Sequence, residues 1–255
     1  MSAIINELCV SVLDRLAVSA EKQPTQIAIR YGNTQLSYQQ LDDASTHLAN
    51  ALHATGFQQR NLALLLLSNN SPHALIAQYG VWKAGGAILY AEHDMTARAL
   101  YTQLRASSAN TVFVASNRYT RFKRAQPDTE ARRVVIARLT DYLSGFDKLR
   151  FRLRHERAGG HQIEQQFTDM RWENVLKLGA KAPPPNVLVS AETTALYTQS
   201  SPTTLTPLTH QTLTANVTAM PHQPVKTLPN RLPQRWLAQH KQLFNGDTVT
   251  LTPDF

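Results

Sequence analysis

An α/β fold, with a largely parallel sheet covered by helices on both faces, is predicted by three features of the sequence. Stretches of helical and strand periodicity alternate through the first 137 residues. One of them, Leu62 to Leu67, is an unbroken aliphatic run, the pattern of a strand buried on both sides. The helical stretches between strands are long enough to be crossover connections, which join parallel neighbours.

The elements follow in order. Ile4, Leu8, Val12 and Leu16 recur at helical spacing, and Pro24 closes that helix. Gln26 to Arg30 and Thr34 to Ser37 flank Tyr31-Gly32-Asn33, a hairpin pattern. Ser37 and Gln40 have capping-box spacing and open a helix through Leu41, Leu48 and Leu52 that stops at Gly56. Pro72 begins another helix, through Leu75, Tyr79 and Trp82, which ends at Gly85-Gly86, and Ala87 to Tyr90 is the next strand. A helix from Thr96 to Ser107 and strands Thr111 to Ala115 and Arg133 to Ala137 continue the alternation.

Composition bounds the function. In 255 residues, 42% hydrophobic and 17% charged, there is material for a real core, and wholesale disorder is excluded. The longest aliphatic run is far below the roughly 20 residues that span a bilayer, and the start lacks the basic residues of a signal peptide, so a cytoplasmic protein is expected, peripheral at most to a membrane. Cys9 is alone, which leaves no disulfide, zinc pair or redox pair and makes it a small buried hydrophobe. Nine histidines form no His-x-x-x-His pair, and no Gly-x-Ser-x-Gly occurs, so neither a metal site nor a serine hydrolase is expected.

The net charge of +8 is concentrated. Residues 101–157 carry 13 basic and 5 acidic side chains, whereas the residues on either side are nearly balanced. Ten of the thirteen prolines fall at or after Pro183. These shifts divide the chain into an α/β lobe (1–137), a basic connector (138–182) and a proline-rich end (183–255). Within the connector, Lys148 to Arg154 alternates basic and apolar residues, a period of two that fits an edge strand or extended interfacial segment. Arg150, Phe151, Arg152, Leu153 and Arg154 are thus a candidate membrane or anion surface, with a solvated connector as the equal alternative. No nucleic-acid-binding module accompanies the arginines, so no nucleic acid is expected as a partner.

Three motifs occur in a telling order: Leu36-Ser37-Tyr38-Gln39-Gln40-Leu41, Asn70-Ser71-Pro72 and Val81-Trp82-Lys83-Ala84-Gly85-Gly86-Ala87. Together they resemble the AMP-forming adenylating superfamily and, within it, bacterial long-chain fatty-acid–CoA ligases. Leu139 to Leu143 and Arg171 to Leu176 are similar to the segment that precedes the phosphate-binding loop of those ligases. The resemblance covers residues 4–220 and implies ATP, Mg²⁺ and CoA as cofactors of an acyl-CoA-forming reaction.

In the family, ATP binds through Tyr-Thr-(Ser/Gly)-Gly-Thr-Thr-Gly-x-x-Lys-Gly, followed by a helix starting near Thr-His. The matching stretch keeps Tyr197-Thr198 and Thr209-His210 but has neither glycine nor lysine between them, and two prolines. Glycines let successive N–H groups turn inward onto an anion. The resemblance therefore carries over Thr198, Ser200, Ser201, Thr203, Thr204 and His210 as remnant nucleotide-binding residues, with no catalytic residue, and tight cofactor binding is not expected. Plain loop residues are the other reading of these hydroxyls. The family's later motifs fall beyond residue 255, which implies a shortened relative, impaired alone. Its expected partners are a separately encoded ligase remainder or an anionic membrane surface; a gene fragment without a role is the further alternative. On the same comparison Thr248 to Leu251 is a strand without its usual neighbours, with an open edge.

Overall fold

The computed structural model describes residues 11–92, 94–154, 160, 163–201, 203–219 and 234–252. Helix α1 (Val12–Lys22) starts where Ser11 caps it: the Ser11 hydroxyl accepts from the Asp14 N–H at 3.1 Å, and the Asp14 carboxylate accepts from the Ser11 N–H at 3.0 Å. Ile4 and Leu8 lie outside the described residues. The predicted hairpin is present as β1 (Ile27–Tyr31) and β2 (Thr34–Ser37). Ser37 then opens α2 (Tyr38–Ala54) through the expected reciprocal bonds with Gln40, at 3.2 and 2.8 Å.

The alternation continues with β3 (Leu62–Leu66), α3 (Pro72–Lys83), β4 (Ala87–Tyr90), α4 (Ala97–Ser107), β5 (Thr111–Ala115), α5 (Tyr119–Ala125) and β6 (Arg133–Ala137). Beyond it come α6 (Gly145–Arg154), the short β7 (Met170–Arg171), α7 (Trp172–Gly179), β8 (Thr194–Ser201), β9 (Thr204–Thr209), α8 (His210–Ala219), α9 (Gln234–Asn245) and β10 (Val249–Leu251). Seven strands form one sheet in the order β7-β6-β5-β3-β4-β8-β9, parallel throughout except for β8–β9. The lobe, the connector and the proline-rich end all contribute strands to it.

Burial on both faces explains the continuous apolar run. Ala63 and Leu65 belong to one core layer with Phe113, Val135 and residues of α2, α3 and α7. Leu64 and Leu66 belong to the other with Val112, Val114, Val134, Ile136 and residues of α4 and α5. Helix α3 is the axle of the first layer, buried from Pro72 to Trp82. At Gly80 a Cβ would sit 2.6 Å from Leu48 Cδ2, so glycine is what lets α3 approach α2 so closely. Gly85, with φ of 74°, turns the chain out of α3 in a conformation that favours glycine.

Two sequence expectations change. The alternating segment is not extended: Gly145–Arg154 is helical, Phe151 is 2% exposed and Leu149 is 56% exposed. At about 100° per residue, positions two apart fall on opposite sides of a helix, so Leu149 and Phe151 do not share a face. The start signal outweighed the period: Ser144 donates to the Asp147 carboxylate at 2.8 Å and its carbonyl accepts from the Lys148 N–H at 2.7 Å. A helix also satisfies its own backbone, whereas an extended segment needs a neighbouring strand. The closing strand, for its part, has a partner. β10 pairs in parallel with β1, Ile29 opposite Val249 and Tyr31 opposite Leu251, in a second sheet ordered β10-β1-β2. Its alternation of buried Val249 and Leu251 about exposed Thr250 suits the open side of β1.

Candidate functional site

In open parallel sheets, ligands gather beyond the carboxyl ends of the strands. Here that edge carries the hairpin of β8 and β9, the stretch expected to hold phosphate. β8 pairs with β4 only through Leu196 and Tyr197, then runs on past the sheet and returns as β9.

The base of this hairpin is fixed in the core. Ala195 and Leu196 are buried, and the Ala195 carbonyl accepts from Trp82 Nε1 at 2.7 Å. Trp82 itself lies among Tyr79, Trp236, His210 and His240, with ring centroids 5.4 to 6.5 Å away. Behind it, the Gln78 side-chain oxygen accepts from Trp236 Nε1 at 2.9 Å and lies 2.7 Å from His240 Nε2, while Tyr79 Oη is 3.1 Å from His240 Nδ1. Burial lowers the His240 pKa to about 3. The Thr-His pair that ends the motif is a helix start: the Thr209 hydroxyl accepts from the Thr212 N–H at 3.2 Å, as an N-cap does. His210 follows as the first residue of α8, fully buried, with both ring nitrogens lacking a hydrogen-bond partner among the described residues. Burial lowers its pKa to about 4, opposed by the charge of Asp14.

The tip differs in every respect. Ser200, Ser201, Thr203 and Thr204 are exposed, and Ser201 Oγ donates to Thr204 Oγ1 at 2.8 Å across the turn. Thr198 Oγ1 donates to the Thr206 carbonyl at 3.3 Å. No described residue of the hairpin has a positive φ. A phosphate nest needs successive N–H groups turned inward by alternating right- and left-handed residues; here the strands pair antiparallel from Thr194–Thr209 to Ser201–Thr204, with irregular register at Thr194/Leu196 and at Gln199/Ser201. Pro202 lies outside the described residues, and Pro207 stands in the edge strand β9, where a missing N–H is tolerated.

The structure therefore divides the six sequence-derived residues. Ser200, Ser201, Thr203 and Thr204 share the tip, Thr198 lies midway, and His210 sits beyond the Thr194–Thr209 pair at the base. Seven residues of strand separate base from tip, roughly 20 Å. His210 cannot share an anion with the tip hydroxyls. Lys83 of the Lys-Ala-Gly-Gly motif serves the scaffold as well, holding Asp42 Oδ1 at 2.8 Å and Thr46 Oγ1 at 2.7 Å. Of the connector residues, Phe151 is core, and Arg150, Arg152, Leu153 and Arg154 lie on α6, where Asp147 bonds Asn33 rather than any part of the hairpin.

Beside the tip lies a groove of about 500 Å³, bounded on one wall by Met95, Thr96, Arg98 and Thr102 and on the other by Gln199, Ser200 and Ser201. Gln103 ties the walls together, donating to the Tyr90 carbonyl at 2.9 Å and to Gln199 Oε1 at 2.8 Å. The sequence reading missed this wall of α4. Its signal was Thr96 as an N-cap directly after a parallel strand, the place where a site is expected. A second cavity, about 450 Å³, opens near the amino ends of β4 and β8, among Arg60, Glu192 and Thr194. Among the described residues no three His, Cys, Asp or Glu side chains converge as a metal site. None of the described helices is long and apolar enough to cross a membrane.

The architecture is shared with known adenylating proteins. A long-chain-fatty-acid-CoA ligase from Archaeoglobus fulgidus superposes with a TM-score of 0.71 at 18% identity, over 96% of this chain and 48% of that one. A benzoate CoA ligase from Burkholderia xenovorans LB400 gives 0.69 at 15% identity, over 96% of this chain and 45% of that one. In sequence, the N-(5-amino-5-carboxypentanoyl)-L-cysteinyl-D-valine synthase of Penicillium chrysogenum is 31% identical over 68 residues, which are 27% of this chain and 2% of the synthase. The chain thus spans less than half of the length of these structures and a small part of the synthase. The family model described as AMP-binding enzyme matches residues 16–246, and the chain belongs to that family.

Proposed function

We propose that these 255 residues form the scaffold of a fatty-acid–CoA ligase that no longer cradles ATP through its backbone, and that they do not by themselves form acyl-adenylate. The reaction in question is attack of a fatty carboxylate on the ATP α-phosphate, releasing pyrophosphate, followed by transfer of the acyl group to the CoA thiol. Stabilising the transferring phosphate by prearranged donors and cations is the main catalytic device for such a step. The observation that carries this reading is the hairpin tip: two strands paired out to Ser201 and Thr204, whose hydroxyls bond each other, with no glycine and no lysine between Tyr197 and His210. The fatty substrate rests on the sequence resemblance and on the likeness to a fatty-acid ligase; an amino acid is the competitor, from the likeness to the cysteinyl-valine synthase.

The test is acid-dependent ATP–pyrophosphate exchange by the purified chain with medium and long fatty acids. No exchange above background is expected. Clear exchange that is lost when Ser200, Ser201, Thr203 and Thr204 are all replaced by alanine contradicts the reading. A second role, contact with an anionic membrane surface, is supported by Leu149, exposed on the basic helix α6. With Phe151 buried, charge must carry that contact, so flotation with anionic vesicles should fall steeply as salt rises; equal binding to neutral vesicles speaks against it.

A further inference from the structure

Between α7 and β8 the chain runs through Ala182-Pro183-Pro184-Pro185-Asn186-Val187-Leu188, and residues 183–190 belong to no helix or strand. The prolines set the backbone of its first half. Each ring holds its own φ at about −65°, and a residue that precedes proline is pushed to extended conformations, so the run favours a polyproline II helix. Among the described residues no backbone–backbone hydrogen bond joins 183–189 to another part of the chain. The segment is held by side chains at both ends instead. Buried Asn50 donates to the Gly179 and Ala182 carbonyls at 3.2 and 3.3 Å, and Gln59 donates to the Leu188 carbonyl at 3.0 Å, close to where Val187 lies against Gly85. Between these ties Pro183, Pro184 and Asn186 are exposed, and at the far tie the Leu188 side chain is 82% exposed. A connector needs neither tie, whereas a ligand already held in its bound shape loses little freedom on binding.

We propose that residues 183–188 are a docking arm for a protein partner whose groove is lined by aromatic rings, with an apolar pocket for Leu188. The chemistry of the arm selects this occupant. Prolines have no N–H to offer, so a partner meets their ring faces and their carbonyls, and the rings and polar tips of tryptophan and tyrosine match both. Lys181, exposed just before the run, suits an acidic residue at the end of such a groove. Leu188 also lines the cavity near the amino ends of β4 and β8, so the arm lies away from the hairpin tip. The inference is independent of what the tip binds.

Titration of the full chain into isotope-labelled WW, SH3 and EVH1 domains, three probes with grooves of this kind, tests it by nuclear magnetic resonance. At least one probe should shift its groove resonances, and a decaproline peptide should reverse the shift. Replacing Pro183, Pro184 and Pro185 together by alanine should weaken binding about tenfold or more, the order of a hot-spot truncation. Leu188→Ser should weaken it severalfold, whereas Leu149→Ser, the same change at an exposed leucine of α6, should leave it unchanged. Circular dichroism checks that each variant is folded. If no probe responds to the chain at about 1 mM, a bound that includes weak recognition, the arm is a plain connector and the proposal fails. It fails equally if the triple variant, still folded, binds like the unaltered chain. Sedimentation of the chain alone examines the other occupant: self-association that is lost on Leu188→Ser would give this surface to a second copy and overturn the proposal.

Discussion

The two ends of one hairpin have been shaped by different demands. At the base, Ala195 takes a bond from Trp82, Thr209 caps α8 and His210 is buried against the Trp82 ring. At the tip, four hydroxyl residues face water and the ladder loses its regular register between Gln199 and Ser201. Thr209 and His210 sit where they cap and pack α8, and the stretch between Tyr197-Thr198 and Thr209-His210 contains neither glycine nor lysine. Residues grouped by one linear motif can therefore do different work: those at the base pack and cap, and those at the tip stand in water.

The sharpest way to break this contrast is Trp82→Ala. Removing a fully buried indole and orphaning the Ala195 carbonyl should cost about 3–5 kcal/mol in urea unfolding. A loss below about 1 kcal/mol would show that the base is not anchored as described.

Acid should act on the same end. His210 and His240 have folded pKa values lowered to about 4 and about 3, below the ordinary value of 6.5, because burial disfavours the charged ring. The unfolded chain then binds protons more readily than the folded one between pH 6.5 and 4. Stability is complete above about pH 7 and is lost, on the order of a few kcal/mol, as pH falls through that window. Replacing His240 by Gln should flatten the fall; an unchanged profile contradicts the assignment.

Gly80→Ala asks less. Its Cβ would meet Leu48 at 2.6 Å, and overpacking of this kind costs about 1–3 kcal/mol. The smallest effect belongs to the tip, where Ser200→Ala and Thr203→Ala should each change stability by under about 0.5 kcal/mol. A tip substitution as costly as Gly80→Ala would erase the distinction between the two ends.

Much of this was legible in the sequence, for local reasons. The Ser37–Gln40 box, the Leu62 run and the Gly85 stop each settle an element through its own residues, and they are where periodicity predicts them. Lys148 to Arg154 misled because a period of two over so few residues competes with a helix start at Ser144 that periodicity does not weigh. β10 looked partnerless because its neighbour, β1, lies more than 200 residues earlier in the chain. The candidate site was half legible: the motif pointed to the tip hydroxyls, but the groove beside them is also lined by α4, about a hundred residues away, and no linear pattern joins Arg98 to Ser200. His210 was grouped with the tip by the motif, although strand geometry sets it at the other end.

Amide hydrogen exchange along the hairpin, with and without MgATP, tests the central claim most directly, because a phosphate cradle is made of N–H groups. The amides of Leu196 and Leu208 at the base should exchange slowly, and those of Ser200, Ser201, Thr203 and Thr204 quickly. Saturating MgATP should leave the tip amides fast, since no described residue of the hairpin has the positive φ that would turn its N–H groups inward. Strong protection of those four amides on adding MgATP would mean that the backbone still wraps the phosphate, and the account given for this hairpin would be wrong.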